Sequence, residues 1–463
     1  MPTTPVPDVS APADAKEAFA WAAAEPSSSG DYIDDVNRFA AFWRAADALM
    51  QRLPAKPRRS PDAVATAATI QAAARQSRER FLTAHAEQIY DRKTGDRRRF
   101  VRVDELVFAA AEAVPGLVPT RAEVAAETVL DQGDKDGVEV DQGIFLAHVL
   151  AHEECGFHLC HAMLLPRPES VELLAKFSAD GLLDLGPACL ERRGKAVHLT
   201  TSNPSFLNAE DNSTLDVMEM AVDVAILDPT TDIAVWRGGP VDHPKYRGRR
   251  LFGAGINLTH LYRGKIPFLW FLKRDLGYVH KLLRGVALPD QLPDDVHGRG
   301  IEKPWIAAVD GFAIGGHCQA LLCMDYVLAA ADAYMTLPAR KEGIIPGFAN
   351  LRLPRFTGDR IARQAIQYER RLACDSIEGR LIVDEIARPE AMDSAVERVV
   401  SGLTNAGAVS AVGNRRAFRV GQEPLDTFRR YAAVYAREQA YCHFSPALIA
   451  NLERNWDARN RSF

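Results

Sequence analysis

The stretch from Lys303 to Gly347 constrains this chain most: KPWIAAVDGFAIGGHCQALLCMDYVLAAADAYMTLPARKEGIIPG. KPWIAAVDGFAIGG reads as a strand running into a glycine turn, and HCQALLCM opens a helix directly after it. YVLAAA and AYMTLP follow as short strands. Strands alternating with helices in this way predict an α/β layer fold. A glycine pair just before a helix also leaves backbone N–H groups pointing outward at the helix N-terminus.

The alternation begins near residue 196. AVHLTTS is β-rich, STLDVMEMAVDVAIL is helical, and DIAVWRGG is a strand ending in Gly238 and Gly239. FGAGIN, Phe252 to Asn257, is a second glycine-flanked turn. Upstream the pattern is helical: DDVNRFAAFWRAADALMQRL carries apolar residues at helical spacing, and TRAEVAAETVL has Thr120 as an N-cap with Glu123 at the third helical position. At 463 residues the chain is too long for one ordinary domain. The division expected is a disordered stretch over 1–30, rich in Ala, Pro, Ser and Asp, a helical domain over 31–195, an α/β core over 196–390 and an Arg-rich helical region over 391–463.

Bulk properties exclude several classes. A formal net charge of -5 gives no electrostatic case for nucleic acid or an anionic membrane. No apolar run approaches the ~20 residues of a membrane span. The N-terminus lacks the basic start and apolar core of a signal peptide. Seven scattered cysteines, an odd number, suit reduced thiols, and a cytoplasmic location is expected.

Two stretches imitate ion sites. HVLAHEECGFHLCHAM, His148 to Met163, holds four histidines and two cysteines. If 144–155 is helical, His148 and His152 share a face with Cys155. The H-E-x-x-H pattern nevertheless fails, because Gly156 stands where the second His belongs, and Gly156 is expected to break the helix. An amphipathic helix with half-buried histidines is the preferred reading, and no metal is expected. DQGDKDGVEVDQ, Asp131 to Gln142, resembles a calcium loop, but aligning Gly137 as the loop glycine removes both the first carboxylate and the closing Glu.

The two glycine turns together suggest an oxyanion hole, in which N–H groups from separate turns converge on one oxygen. In order along the chain, FLNAED (Phe206 to Asp211), DIAVWRGG, FGAGIN and the Lys303–Gly347 block resemble the crotonase (enoyl-CoA hydratase) superfamily over about 196–390. The resemblance implies a ββα spiral core, here with an all-helical N-terminal domain and C-terminal oligomerisation helices, and a homo-oligomer built as a trimer or dimer of trimers. It maps the oxyanion donors to Ile256 and Gly316, which would hold the thioester oxygen of an acyl-CoA as an enolate.

The departures from the family pattern carry as much weight. Gln319 and Ala339 stand where family hydratases carry two glutamates, and neither is a general base, so hydration is not expected. His317 replaces the family's third glycine and would either sit in the pocket or merely fill space, and Asn257 replaces a common Asp. With the long helical extension, these features resemble one branch of the family, and that resemblance implies a cofactor-free, metal-free dioxygenase acting on an arylacetyl-CoA and O2. Glu210, Arg274 and Gln319 would orient the ring. His243, Lys245, Arg247 and Arg250 would meet the CoA phosphates or form a solvated charge run, with Ala254, Asn257 and His317 completing the substrate set. KIPFLWFL, Lys265 to Leu272, would wall the aryl and oxygen pocket or serve as ordinary core. Another crotonase-fold hydrolase or isomerase, and a non-catalytic CoA-binding scaffold, remain open.

Overall fold

The computed structural model describes residues 13–293, 296, 300–405 and 407–461. Eight helices come first: α1 Ala15–Ala22, α2 Tyr32–Gln51, α3 Pro61–Thr94, α4 Val103–Ala113, α5 Arg121–Thr128, α6 Val140–Ala151, α7 Glu153–Leu164 and α8 Pro168–Asp180. Their starts follow local chemistry. Asp31 accepts from the Asp34 N–H, Ser60 caps a helix with Pro61 at its first position, and Thr120 and Glu123 form the expected capping box. α3 and α8 end where Gly95 and Gly181 turn left-handed.

The sheets follow. β1 Leu182–Asp184, β2 Ala188–Arg193, β3 Ala196–Thr201, β4 Ile233–Gly238, β5 Trp305–Val309, β7 Tyr326–Ala330 and β10 Glu385–Ala387 form one sheet in the order β1-β2-β3-β4-β5-β7-β10. β1 to β3 pair antiparallel, and the steps from β3 onward are parallel. β6 Phe312–Ile314, β8 Tyr334–Thr336 and β9 Leu372–Ala373 form a second sheet. Successive strand pairs thus send one member to each sheet: β5 and β6, β7 and β8, β9 and β10. That is the repeating ββα unit of a crotonase spiral. The intervening helices are α9 Asn212–Leu227, α10 Leu258–Tyr262, α11 Phe268–Leu276, α12 Tyr278–Arg284, α13 Gly316–Leu321, α14 Ala339–Glu342 and α15 Ala349–Tyr368. The chain closes with α16 Met392–Thr404, α17 Ala408–Gln422, α18 Leu425–His443 and α19 Pro446–Trp456.

Several expectations need correction. Within the stretch expected to be disordered, α1 is formed and Trp21 stacks on Phe42 at 4.4 Å; residues 1–12 lie outside the described residues. β1 and β2 precede residue 196, so the sheet starts inside the stretch read as all-helical. β1 is three residues long, and β2 carries Glu191, Arg192 and Arg193, too short and too charged for an alternation signal. One apolar cluster runs from α2 and α3 through both sheets to α18, so the helical part shares its core with the α/β part. α18 packs along α6 of its own chain, with Arg429 donating to Leu150 O and Ala151 O at 2.7 Å.

The histidine-rich run also differs from expectation. The helix breaks at His152, which is extended, and Gly156 lies inside α7. His148 meets Glu79 at 2.9 Å, His158 Nδ1 meets the Tyr90 hydroxyl at 2.7 Å, and His161 Nε2 meets Leu288 O at 3.1 Å. Each ring is used by a different protein partner. In the calcium-like loop, the N–H groups of Asp136, Gly137 and Val138 all donate to the Glu127 carboxylate, so the loop wraps an anion. Among the described residues no helix is long and apolar enough to cross a membrane.

Candidate active site

Two rungs of a parallel ladder position the site. Glu210 pairs with Ile256, and Gly253 with Ala313. Gly255 O accepts from Glu210 N–H (2.7 Å), Glu210 O from Asn257 N–H (2.8 Å), and Gly253 O from Ile314 N–H (3.0 Å). FGAGIN and AIGGH therefore lie side by side, with Ile256 and Gly316 each three residues beyond the paired Gly253 and Ala313. Glycine is required where the turns touch. Gly255 has φ +77°, and a Cβ there would come within 2.8 Å of Ile314 O and 3.1 Å of Gly316 N. A Cβ on Gly316 would meet Glu210 Oε2 at 2.1 Å. Neither the Ile256 nor the Gly316 N–H has an acceptor among the described residues. Both residues line an inner cavity of about 30 Å³.

A buried ionic cluster forms the cavity wall. Arg274 of α11 is 3% exposed. Its Nε donates to Glu210 Oε1 (2.9 Å), Nη1 to Asp275 Oδ1 (2.7 Å) and Gln319 Oε1 (3.0 Å), and Nη2 to Gly316 O (2.8 Å). The Tyr278 hydroxyl also donates to Glu210 Oε1. Burial pushes the Glu210 carboxyl up, but the Arg274 charge and these hydrogen bonds outweigh it and hold the group ionised below its ordinary range. Glu210 Oε2, buried as well, has no hydrogen-bond partner, which leaves one charged acceptor unsatisfied beside the Gly316 turn. Four of the five Arg274 N–H groups are taken by protein, so at most one remains for a ligand. Gln319 spends its oxygen on Arg274 and keeps its NH2 group as a donor. Trp270 and Phe271, from the apolar KIPFLWFL run, complete part of the wall.

A larger outer groove of about 510 Å³ lies alongside and shares Ile256 and Glu342 with the inner cavity. Of the residues expected to meet CoA, His243, Ala254 and Asn257 line it. Asn257 also caps α10, accepting from His260 N–H at 3.2 Å. Lys245 lies over the Tyr246 ring at 5.1 Å, and Arg247 pairs with Asp242 at 3.3 Å on the surface. Arg250 donates to Gly238 O and lines a separate cavity with Arg237 and Asp393 rather than this groove. His317 lines neither space and fills a gap, the second of the two roles open to it from the sequence. Its Nδ1 accepts the Gly255 N–H at 3.1 Å, and its ring fills the place a Cβ on Gly253 would take. Burial, with the Arg274 charge, lowers its pKa to about 4 against the pull of Glu210, so the ring is a neutral prop behind the first turn.

Sequence reasoning missed Lys341, Glu342, Trp456 and Arg461. Trp456 and Arg461 reach the groove from the chain's far end, and no local spacing announces that. Glu342 ends α14, is 5% exposed and lines both spaces. Burial, with the nearby Glu369 charge, pushes its pKa up to about 7 against the pull of Lys341.

Over 407 residues, 88% of this chain and 92% of the other, the protein is 49% identical to (3,5-dihydroxyphenyl)acetyl-CoA 1,2-dioxygenase of Amycolatopsis orientalis. The Enoyl-CoA hydratase/isomerase family profile matches residues 297–424. The chain belongs to the crotonase superfamily. As a crotonase it is also 26% identical to crotonyl-CoA hydratase of Syntrophomonas wolfei, over 50% of this chain and 82% of that one. Among solved structures, an enoyl-CoA hydratase from Mycobacterium avium subsp. paratuberculosis superposes on 60% of this crotonase and 99% of its own chain, with TM-score 0.49 and 18% identity.

Proposed function

We propose that this crotonase is a metal- and cofactor-independent dioxygenase. It converts (3,5-dihydroxyphenyl)acetyl-CoA and O2 to 3,5-dihydroxyphenylglyoxylate and free CoA. The observation that carries the reading is the pair of acceptor-free amides, Ile256 and Gly316, beside a buried carboxylate whose Oε2 lacks a partner. The 49% identity to a dioxygenase of that name supports the substrate.

The thioester oxygen sits between the two amides. Loss of a proton from the carbon between ring and carbonyl gives an enolate, whose negative oxygen the amides stabilise in a partly dry site. The electron-rich enolate reduces O2 directly, and the α-peroxide attacks the thioester carbonyl. CoA leaves as thiolate, and loss of the second α-proton drives its C–H electron pair into the new C=O bond as the O–O bond breaks, which yields the α-keto acid. All three product oxygens, one carbonyl and two carboxylate, come from the thioester and O2. Glu210 Oε2 accepts from a ring hydroxyl, and the Gln319 NH2 and the remaining Arg274 N–H donate to ring oxygens. An aryl ring is larger than the inner cavity, so binding must widen it. Gln319 and Ala339 supply no base to activate water, which disfavours hydration.

The test is an oxygen electrode run with chelator-treated enzyme and (3,5-dihydroxyphenyl)acetyl-CoA, alongside a thiol assay. Oxygen uptake matched by thiol release is expected. Thiol release alone would replace the reading with a hydrolase, and neither signal with a non-catalytic CoA-binding scaffold.

A further inference from the structure

The proposed reaction needs a base for the α-proton, and the residues of the Arg274 cluster and the two turns do not supply one. Glu210 is ionised but pinned by Arg274 and Tyr278, which makes it a weak base. Asp275 is bound to Arg274. The His317 Nδ1 lone pair is committed to the Gly255 N–H, and the ring lies behind the turn. Gln319 has no basic atom.

The geometry points to Glu342 as the general base that takes the α-proton of the thioester substrate, an assignment that rests on the reading above. Glu342 is the one carboxylate common to the walls of the inner cavity and the outer groove, and it shares both walls with the oxyanion donor Ile256. An acyl-CoA threaded from groove to cavity passes its thioester by Ile256, so its α-carbon is carried past this side chain. No hydrogen-bond or ion-pair partner for the Glu342 carboxyl is found among the described residues, although the residue is 95% buried by its 5% exposure. The carboxyl therefore faces the cavity and the groove with no protein group competing for its lone pairs. Its neighbour Lys341 is turned to Glu369 (3.7 Å) and the Trp456 ring (5.2 Å). Ala339, one turn earlier on α14, presents only a methyl to the same cavity.

The charged groups around Glu342 set its strength. Glu369 at the end of α15 opposes ionisation, Lys341 on α14 favours it, and across the inner cavity Arg274, Glu210 and Asp275 form a mutually paired cluster. With burial, the net result is a carboxyl titrating at about 7, far more basic than an exposed glutamate and matched to a neutral-pH proton transfer. In the step, the C–H electron pair moves into the C–C bond and on to the thioester oxygen. The proton passes to Glu342, which becomes a neutral acid.

Anaerobic exchange of the α-protons in D2O isolates this step from oxygen chemistry. Glu342→Gln is expected to slow exchange by about 10²–10⁴-fold and thiol release in parallel, while a non-hydrolysable arylacetyl thioether of CoA still binds. Glu342→Asp is expected to fall between Gln and wild type. Wild-type exchange is expected to rise about tenfold per pH unit below a break near 7 and to level off above it. That profile needs no variant and decides the matter if the Gln protein does not fold. Exchange in Glu342→Gln at the wild-type rate, or a flat wild-type profile from pH 5 to 9, overturns the assignment. Wild-type enzyme that neither consumes oxygen nor releases thiol overturns instead the reading beneath it.

Discussion

Two of the buried arginine–glutamate pairs among the described residues contrast in one oxygen atom. Arg352 gives Nε to Glu423 Oε2 (3.0 Å), Nη2 to Oε1 (2.9 Å) and Nη1 to Cys323 Sγ (3.0 Å), and Arg355 adds a bond to Oε2 (3.0 Å). Both Glu423 oxygens are occupied, and the pair ties α15 to the start of α18. The Arg274–Glu210 pair is also buried, yet both donors to Glu210 converge on Oε1 and leave Oε2 open. A buried ion pair by itself says little about function, because its desolvation cost and Coulomb gain nearly cancel in either setting. The open acceptor at a cavity wall is what separates a site from a strut.

The largest expected effect tests the strut. Arg352→Ala leaves Glu423 buried and half-paired, and should cost about 3–5 kcal/mol in urea unfolding. A loss no greater than that of a surface arginine variant such as Arg363→Ala would erase the contrast. Next comes the anion clamp. Gly255→Ala crowds the Gly316 amide and should lower turnover by about 10²–10³-fold, with CoA-thioether binding largely kept. Unchanged kcat would mean that the turns do not bind the reacting oxygen. Arg274→Lys then sharpens the open-acceptor argument, because an ammonium cannot hold the four bonds of the fork. Turnover of the dihydroxy substrate should fall on the order of 10–100-fold more than that of phenylacetyl-CoA, the worth of one hydrogen bond to a charged group. Equal losses would remove ring contact from the cluster's role.

The smallest effect concerns acid. His317 and His158 stay neutral in the folded chain down to about pH 4, and His443 to about 3, whereas unfolded histidine titrates near 6.5. The unfolded chain binds more protons in that window, so stability is full above about 6.5 and declines as pH falls toward 4. Thermal unfolding across pH 7 to 4 should show the decline, and His317→Asn should make it shallower. A slope that does not change would place the ring in water.

Much of the site was legible because it is made of backbone. Oxyanion donors need glycine turns after strands, and glycines leave a visible mark: Gly255, Gly315 and Gly316 stand in the sequence where the two turns meet. The capping box at Thr120 was equally plain, since its two partners are three residues apart. What stayed hidden depends on distant chain. Nothing near Arg250 says that Gly238 O will draw it away from the groove, and nothing near Arg461 says that it will arrive there. Glu342 looked like one more charge in PARKEG; its chemistry comes from burial that the sequence around it does not encode. His152 broke a helix expected to continue to Gly156, because residues at the α6–α7 corner answer to packing more than to propensity.

The ladder that carries Glu210–Ile256 and Gly253–Ala313 has a consequence for how such a protein diversifies. Adjacent strands repeat at about 4.8 Å whatever their side chains, and the two amides project from positions equally far past the two ends of one bridge, Gly253–Ala313. The gap proposed to grip the oxygen is thus set by the backbone, with Arg274 on Gly316 O and His317 on the Gly255 N–H as its side-chain props. Selection, or a designer, can redraw Gln319, Ala339 and Glu342 to exchange one carbonyl chemistry for another while the grip itself stays untouched.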